Sequence, residues 1–465
     1  MNKAYTSYVP INQKWAKQIP SHWDARRMKA VFAMRKERNN PIVTENILSL
    51  TAKQGVVPYA EKEGTGGNKP KSDLTQYNVC HENDLLVNCM NVVSGAAGVS
   101  RYYGAISPVY YAFYPHKDEN IWYYHYIFRL LPFQRSLVGL GKGILMHESE
   151  DGTLTSVRMR ISMDYLGNVC LPVPPREEQD QIVRFLDWKV SSINKLINIK
   201  KKEIKAIDAL KRSIISHVIT HGLMPDVPMK YSGVKWLGDI PAHWQTIKLK
   251  RVTKVRNEKG IYTPNSEDKY IGLENIKGYS NNISITSSEH DVSVQCICHS
   301  GDLMFSKLRP YLAKTVIVPY NCFCTGEMMV ISAFNGDMRF LRYVMLHERF
   351  IDSVNSSTYG AKMPRANSSY ILNMQVPIPQ VDEQQKIADY IDEKVLQIDM
   401  ATKKYEQIID DLQVLKTRLI SDTVTGKIDV RGIEIPEYEF VDEDTDAGNE
   451  DDGEEDTEEQ EGAEE

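Results

Sequence analysis

PVPPREEQDQIVRFLDWKV, residues 172–190, returns as PIPQVDEQQKIADYIDEKV at residues 377–395. At a constant offset of 205, Pro172 pairs with Pro377, Pro174 with Pro379, Glu178 with Glu383, Gln179 with Gln384 and Ile182 with Ile387. The same register runs on through Asp187/Asp392, Lys189/Lys394 and Leu210-Lys211/Leu415-Lys416 to Thr220/Thr425 without a gap. An ungapped offset over such a length implies rigid helix rather than loop, because loops are where length varies. In the first copy Leu186, Ile193, Ile207 and Ile214 lie at multiples of seven, flanked by Val190, Ile197, Ile204 and Val218. In the second, Ile391, Ile398, Tyr405, Leu412 and Leu419 run seven apart, supported by Ile387, Ile408 and Leu415. Each helix would be about 65–70 Å long, too long for a small globular core. Its apolar stripe needs a partner helix, and the nearest matching stripe is the other copy. The expectation is an intramolecular two-helix coiled coil.

A chain of 465 residues, 42% of them hydrophobic, has room for two to four domains with real cores. The first residues show no charged-then-apolar signal pattern, and no window approaches the run of about 18 apolar residues that a membrane span needs. The expected location is cytoplasmic, and seven sparse cysteines fit reduced thiols better than a disulfide framework. The formal charge of -6 conceals an asymmetry: residues 434–465 hold 18 Asp and Glu and no Lys or Arg. Without them 56 basic residues face 44 acidic ones, and residues 1–433 carry +12, a sign that suits a polyanion such as DNA. The acidic tail should be disordered, serving either as a nucleic-acid mimic or as a solubilising extension.

A second repeat precedes each helix: WAKQIPSHW at residues 15–23 and WLGDIPAHW at residues 236–244, at an offset of 221. The fall from 221 to 205 means that the intervening segment is 16 residues shorter in the second half. In that segment strands are expected at residues 46–50, 84–89 and 108–114, with a short helix over 122–131. The second half should have strands at 270–273, 302–306, 315–318 and 328–334, and a helix over 339–354. Glycine-, serine- and asparagine-rich loops at 62–72, 94–101, 139–152 and 356–367 carry much of the basic charge, and surface loops carry function. Residues 222–238, with Pro225, Pro228 and Gly233, break the chain between halves.

Catalytic signatures are missing. There is no G-x-x-x-x-G-K-[ST], H-E-x-x-H or G-x-S-x-G, and no Asn-Pro-Pro-aromatic tetrapeptide of amino-methylating enzymes. The Glu-Glu-Gln and Asp-Glu-Gln triplets lie in a helix's first turn, where acidic residues complement the dipole and cap amides. Cys296, Cys298, Cys322, Cys324 and His299 are the one candidate metal constellation, but C-x-C on strands favours buried thiols over a zinc knuckle. His22 and His243, and the paired tryptophans, read as packing of each globular unit against the helix that belongs to it.

The I-P-x-H-W motif and the P-x-P-x-x-x-E-Q-x-x-I helix start, each present twice and in order over about residues 9–430, resemble those of type I restriction-modification specificity subunits. Segments 88–107 (NCMNVVSGAAGVSRYYGAIS) and 306–314 (SKLRPYLAK) resemble parts of that family's target-recognition domains; the acidic tail is a departure from the family pattern. The resemblance implies an α+β chain of two tandem mixed α/β target-recognition domains, each followed by a long helix. The helices would form an antiparallel coiled coil with pseudo-twofold symmetry. The expected division is 1–175 and 223–380 for the recognition domains, 176–222 and 381–427 for the spacer helices, and 428–465 for an acidic disordered tail.

By the same resemblance the chain is a non-catalytic reader of a bipartite, asymmetric target in double-stranded DNA. It would dock two methyltransferase subunits and the restriction subunits, and hold no cofactor of its own. S-adenosylmethionine, ATP and Mg would belong to those partners. Lys307, Arg309 and Lys314 are the expected DNA-facing residues of the second unit, with Asn91, Arg101 and Lys142 in the first. A fused enzyme would need cofactor motifs that are missing. A protein-only scaffold, or a DNA-binding module outside restriction, remains the alternative, and the scaffold has no need of the +12 body.

Overall fold

The structure of the chain, a computed structural model, describes residues 4–442 except 12, 52–53, 63–69, 144–146, 149–153, 156–158, 264–268, 285–291 and 361–362. Its compact units do not follow the halves of the sequence: one is Met1–Ile199 with Ile408–Asp444, and the other is built on Lys200–Gln407. Each long helix therefore contributes one part to each unit.

The first unit is organised by the apolar run Leu85-Leu86-Val87, all three residues fully buried. They form the strand Leu85–Asn88 of an antiparallel sheet in the order Phe32–Met34, Tyr110–Pro115, Leu85–Asn88, Ala97–Val99. A run without polar alternation marks a sheet covered on both faces. Leu85 and Val87 face a core with Phe113, Tyr124 and Phe128, whereas Leu86, pointing the other way, packs with Leu48, Ile106 and Ala112. The second unit repeats this sheet as Thr253–Val255, Met328–Phe334, Leu303–Ser306 and Thr315–Ile317. Leu303 and Phe305 face Phe340 and Val344, and Met304 faces Val316, Val330 and Cys298. Burying each such side chain stabilises the fold by roughly 1.5–3 kcal/mol.

The far face of the sheet is where the units differ. The first covers it with the hairpin Leu48–Thr51/Gly55–Pro58 and the pair Asn78–Cys80/Gly104–Ile106. The second has a further four-stranded sheet, Lys259–Tyr262, Ser293–Cys298, Cys322–Cys324 and Tyr270–Ile271, the last pair parallel. The helix expected over 339–354 is two, Met338–Met345 and Glu348–Ser356, because the His347 ring caps the second by accepting from Arg349 N at 3.2 Å. That expected over 122–131 is also two, Ile121–Phe128 and Leu131–Leu137, the latter begun by Pro132 in its first turn. The repeat offset is still 217 at the equivalent tyrosines Tyr126 and Tyr343. Most of the shortening thus falls between the short helices and the long ones.

The long helices span Arg176–His221 and Val381–Val424. Ile182, Leu186, Ile197, Ile387 and Ile391 are fully buried, and every position of both heptad stripes is at least half-buried. Ile408 and Leu415 are corrections: at 39% and 51% exposed they lie outside the seam that one partner helix covers. The pairing is antiparallel. In the first unit Lys416 Nζ donates to Asn194 Oδ1 at 3.0 Å, and in the second Lys211 Nζ donates to Asp399 Oδ1 at 2.7 Å.

Each long helix ends at a left-handed glycine. Gly222 has φ +72° and Gly426 φ +71°. A Cβ on Gly222 would stand 3.2 Å from the Trp244 ring, and one on Gly426 2.3 Å from Pro20 and 3.0 Å from Trp23. The helix that starts in one half of the sequence therefore ends against the tryptophan motif of the other half. The end of the other long helix is thereby added to the expected packing of each tryptophan pair on its own helix: Val424, Ile428 and Val430 join the first core, and Ile215, Val218 and Ile219 the second.

The tail also departs from expectation. Ile433 and Ile435 pack on the first core, and the chain as far as Asp442 lies along the first long helix. Disorder from residue 428 is thus replaced, over 428–442, by a strap whose backbone is hydrogen-bonded; residues 443–465 lie outside the described residues.

Candidate nucleic-acid interface

Three loop-borne residues converge on Glu178 at the start of the first long helix. Trp23 Nε1 donates to Glu178 Oε1 at 3.0 Å, His22 Nε2 stands 2.9 Å from Oε2, and the Tyr5 hydroxyl also donates to this buried carboxylate. The second unit repeats the arrangement, with Trp244 Nε1 3.1 Å and His243 Nε2 3.0 Å from Glu383. Neighbouring glutamines complete the lock. Gln179 donates to Pro174 O and accepts from Asn120 N at 2.8 Å; Gln384 donates to Pro379 O and accepts from Asp337 N at 3.0 Å. The triplets are thus structural, though they bind the tryptophan motif rather than merely their own helix's amides. Both repeated motifs are spent on one joint, which holds each sheet and its short helix on the helical frame.

The joint is reinforced by two further repeated pairs. Tyr126 donates to Asp187 at 2.6 Å and Tyr343 to Asp392 at 2.5 Å. Arg35 grips the buried Asp84 at 2.6 and 2.8 Å, and Arg256 grips Asp302 at 2.7 and 3.2 Å. Hydrogen bonding to these carboxylates raises the pKa of both arginines. Such bidentate pairs fix the root of each sheet.

Between sheet, short helix and long helices each unit has a groove, of about 710 Å³ in the first and 730 Å³ in the second. In the first, Arg101 is exposed at the rim with its guanidinium 5.6 Å from the Trp122 ring centroid. Arg129 and Lys416 also line it, as do Asp187 and Asp442. Burial, then Arg129 and Arg101, depress the His125 imidazole to about 3, and its Nδ1 faces Val99 N at 3.4 Å. Burial raises the Asp187 carboxyl against the Tyr126 hydrogen bond and Arg101. In the second groove Lys314, Lys277 and Arg212 share the lining with Glu348, Asp352 and the ion pair Lys211–Asp399. Arg212 bonds Glu348 at 3.0 Å and sits 5.7 Å from the Tyr279 ring, whose hydroxyl burial pushes up to about 12.

Of the six expected DNA-facing residues, Arg101 and Lys314 line the two grooves. The Lys314 ammonium is spent in part on Leu273 O at 3.0 Å. Lys307 and Arg309 lie beside Lys314 in one loop, braced by Arg309 N to Pro364 O and Ala366 N to Lys307 O, both 2.8 Å. Lys307 Nζ donates to Gly326 O, and Arg309 adopts φ +47°. Asn91 is exposed on the turn after Leu85–Asn88, away from the groove lining. Lys142 contributes a backbone pairing with Arg160, and its side chain lies outside what is described. Sequence reasoning missed Lys416, Lys211 and Arg212, because helix lysines and arginines read as solvated surface; the offset that pairs Lys211 with Lys416 was the available signal.

The cysteine constellation lies under the second sheet. Cys298, Cys322 and Cys324 are buried, with Cys298 Sγ 3.2 Å from Cys324 Sγ and 3.5 Å from Met304 Sδ. Among the described residues no group of three His, Cys, Asp or Glu side chains is placed to hold a metal ion, and no helix is long and apolar enough to cross a membrane.

Comparison with known proteins agrees with this architecture. Residues 241–409 match the family model of the type I restriction modification DNA specificity domain. The chain is 25% identical over 281 residues to the type I restriction enzyme MjaVIII specificity subunit of Methanocaldococcus jannaschii, covering 57% of this chain and 64% of that protein. It is 22% identical over 205 residues to the type I restriction enzyme EcoDI specificity subunit of Escherichia coli, covering 42% of this chain and 44% of that one. The matched segments span less than two thirds of either relative. A chain from a structural study of complex assembly and conformational transition of the type I R-M system superposes with a TM-score of 0.63 at 13% identity, over 88% of this chain and 99% of that one, which shows the shared fold. With residues 241–409 matching that domain model and the curated relatives all of one kind, the chain is similar to type I restriction-modification specificity subunits.

Proposed function

We propose that this chain is the DNA sequence-specificity subunit of a type I restriction-modification enzyme and that it has no catalytic centre of its own. Each unit reads one half of a bipartite, asymmetric target in double-stranded DNA, with residues 1–175 and 223–380 as the recognition domains. The two long helices fix the spacing, and the assembly carries two methyltransferase subunits and the restriction subunits. S-adenosylmethionine, ATP and Mg belong to those partners.

The observation that supports this reading best is the duplicated groove, lined by Arg101, Arg129 and Lys416 in the first unit and by Arg212, Lys277 and Lys314 in the second. Two linked half-site readers gain avidity of order a hundredfold over either alone when the spacing fits. Arg101, its guanidinium 5.6 Å from the Trp122 ring centroid, presents a planar donor to phosphate or base, and Lys314, in one loop with Arg309 and Lys307, presents charge from the second unit.

The test is replacement of residues 24–170 by the matching unit of a relative, followed by sequencing of methylated DNA. One half-site should change and the other stay. Arg101→Ala and Lys314→Ala should each weaken binding of the cognate duplex, by about 1–3 kcal/mol where the side chain reads a base. A domain exchange that alters both half-sites, or neither, would overturn independent reading by the units.

A further inference from the structure

The C-terminal strap has a built seat. On the first long helix Ser191, Asn194 and Asn198 are 2%, 5% and 6% exposed and, at i, i+3 and i+7, share one face. Ser191 Oγ donates to Glu439 O at 2.9 Å and accepts from Val441 N at 2.7 Å. Asn194 Nδ2 donates to Val441 O at 3.1 Å, and Asn198 Nδ2 to Asp442 O at 2.9 Å. Upstream, Gln181 Nε2 holds Val430 O and Ile433 O at 3.1 and 2.7 Å. Backbone is gripped while the strap's carboxylate side chains stay exposed. At the repeat offset the three seat positions become Leu396, Asp399 and Lys403, which offer no such amide or hydroxyl donors. The seat belongs to the first unit alone.

The strap also leads somewhere. Phe440 and Asp442 line the same groove as Arg101, Arg129 and Lys416. The residues that follow, 443–465, contain 14 Asp and Glu and no Lys or Arg. Twenty-three residues reach about 75 Å at most when extended, ample to lie along that face. A tethered run has an effective concentration in the millimolar range, so individually weak carboxylate–cation contacts compete well at low salt.

We propose that residues 443–465 are an intramolecular competitor for the DNA-binding groove of the first unit, delivered to it by the seated strap 433–442. The inference rests on the reading of that groove as a DNA surface. Arbitrary duplex, held by phosphate contacts alone, is displaced; the cognate target, which adds base contacts, displaces the tail. The tail thereby raises the ratio of specific to nonspecific binding.

The test uses the full chain, a version ending at Asp442 that keeps the strap, and a version with all carboxylates of 443–465 changed to amides. Binding of a labelled arbitrary duplex is measured at about 50 mM and about 500 mM salt. Both altered chains should bind about tenfold tighter than the full chain at low salt, and equally at high salt, where screening removes the competition. Arg101→Ala should shrink the gain from truncation, and Ser191→Ala with Asn198→Ala, which loosens the seat, should give part of it. Equal binding by full and truncated chains overturns the inference but leaves the DNA reading intact. An amide tail that still inhibits overturns it too, since bulk would then be responsible. If no version binds duplex in a salt-dependent way, the DNA reading falls and the inference with it.

Discussion

Lys211 Nζ donates to Asp399 Oδ1 at 2.7 Å across the paired helices, and the repeat offset of 205, which takes Lys211 to Lys416 and Asn194 to Asp399, relates this pair to the other cross-helix pair, Lys416 with Asn194. One unit thus holds its cross-helix lysine with a carboxylate and the other with an amide. The Lys211 side chain is 7% exposed, so its ammonium depends on that partner.

Asp399→Ala should therefore destabilise the chain by about 3 kcal/mol, because it leaves a buried cation unpaired. Asp399→Asn, which copies the arrangement at Asn194, should cost only about 1 kcal/mol. Urea unfolding of the full-length variants checks both values. Equal losses for alanine and asparagine would show that the pair does not depend on a hydrogen-bond acceptor at 399.

Glu178 accepts from Tyr5, His22 and Trp23, so Glu178→Ala should cost about 3 kcal/mol by orphaning buried donors. Its exposed neighbour Glu177 should tolerate alanine within about 0.5 kcal/mol. A double-mutant cycle of Glu178→Gln with Trp23→Phe should return a coupling of about 1–2 kcal/mol. A coupling near zero would mean that motif and helix start pack side by side without a shared bond.

His347 is 4% exposed, packs edge-on to Trp236 and has burial, then Arg349, depress its imidazole to about 4. The folded pKa lies below the unfolded value of about 6.5, so between those values the unfolded chain binds more protons. The stabilisation is complete above about pH 6.5 and is lost as pH falls towards 4. At pH 5 the loss should be about 2 kcal/mol relative to pH 7.5. His347→Asn keeps a capping acceptor and does not titrate. If its denaturation midpoint falls as steeply as that of the parent between pH 7 and 5, His347 is not the group responsible.

The sequence made the frame legible and the joints only in part. Helices declare themselves by a period that needs no knowledge of the partner, and the two long ones, Arg176–His221 and Val381–Val424, carry the repeat that shows in the sequence. The central strands were legible for a related reason: Leu85-Leu86-Val87 and Leu303-Met304-Phe305 are apolar without alternation. The bond from Trp23 to Glu178 spans 155 residues, and nothing in spacing tells where a loop-borne indole points. Ile408 and Leu415 were over-assigned because period alone cannot say how wide a seam the partner covers. The strap was hidden by composition, since acidic residues mask the apolar pair Ile433 and Ile435 that docks it.

The residue numbers of both cross-helix pairs add to the same total, 610, and that constrains how spacing can change. Four residues inserted after Lys200 alone would add about 6 Å to one helix and drive one pair out of register. A matched insertion between Ile409 and Asp410, whose numbers complete the same total with 201 and 200, restores both pairs within their own units. The single insertion should therefore destabilise the chain and blur the target, while the double insertion should fold and shift spacing cleanly. Six ångströms is close to two base pairs of duplex at about 3.4 Å each. The methylated target of the doubly extended chain should keep both half-sites and gain about two base pairs between them. If sequencing of the methylated DNA finds the parent spacing in the double-insertion chain, the paired helices are not the ruler.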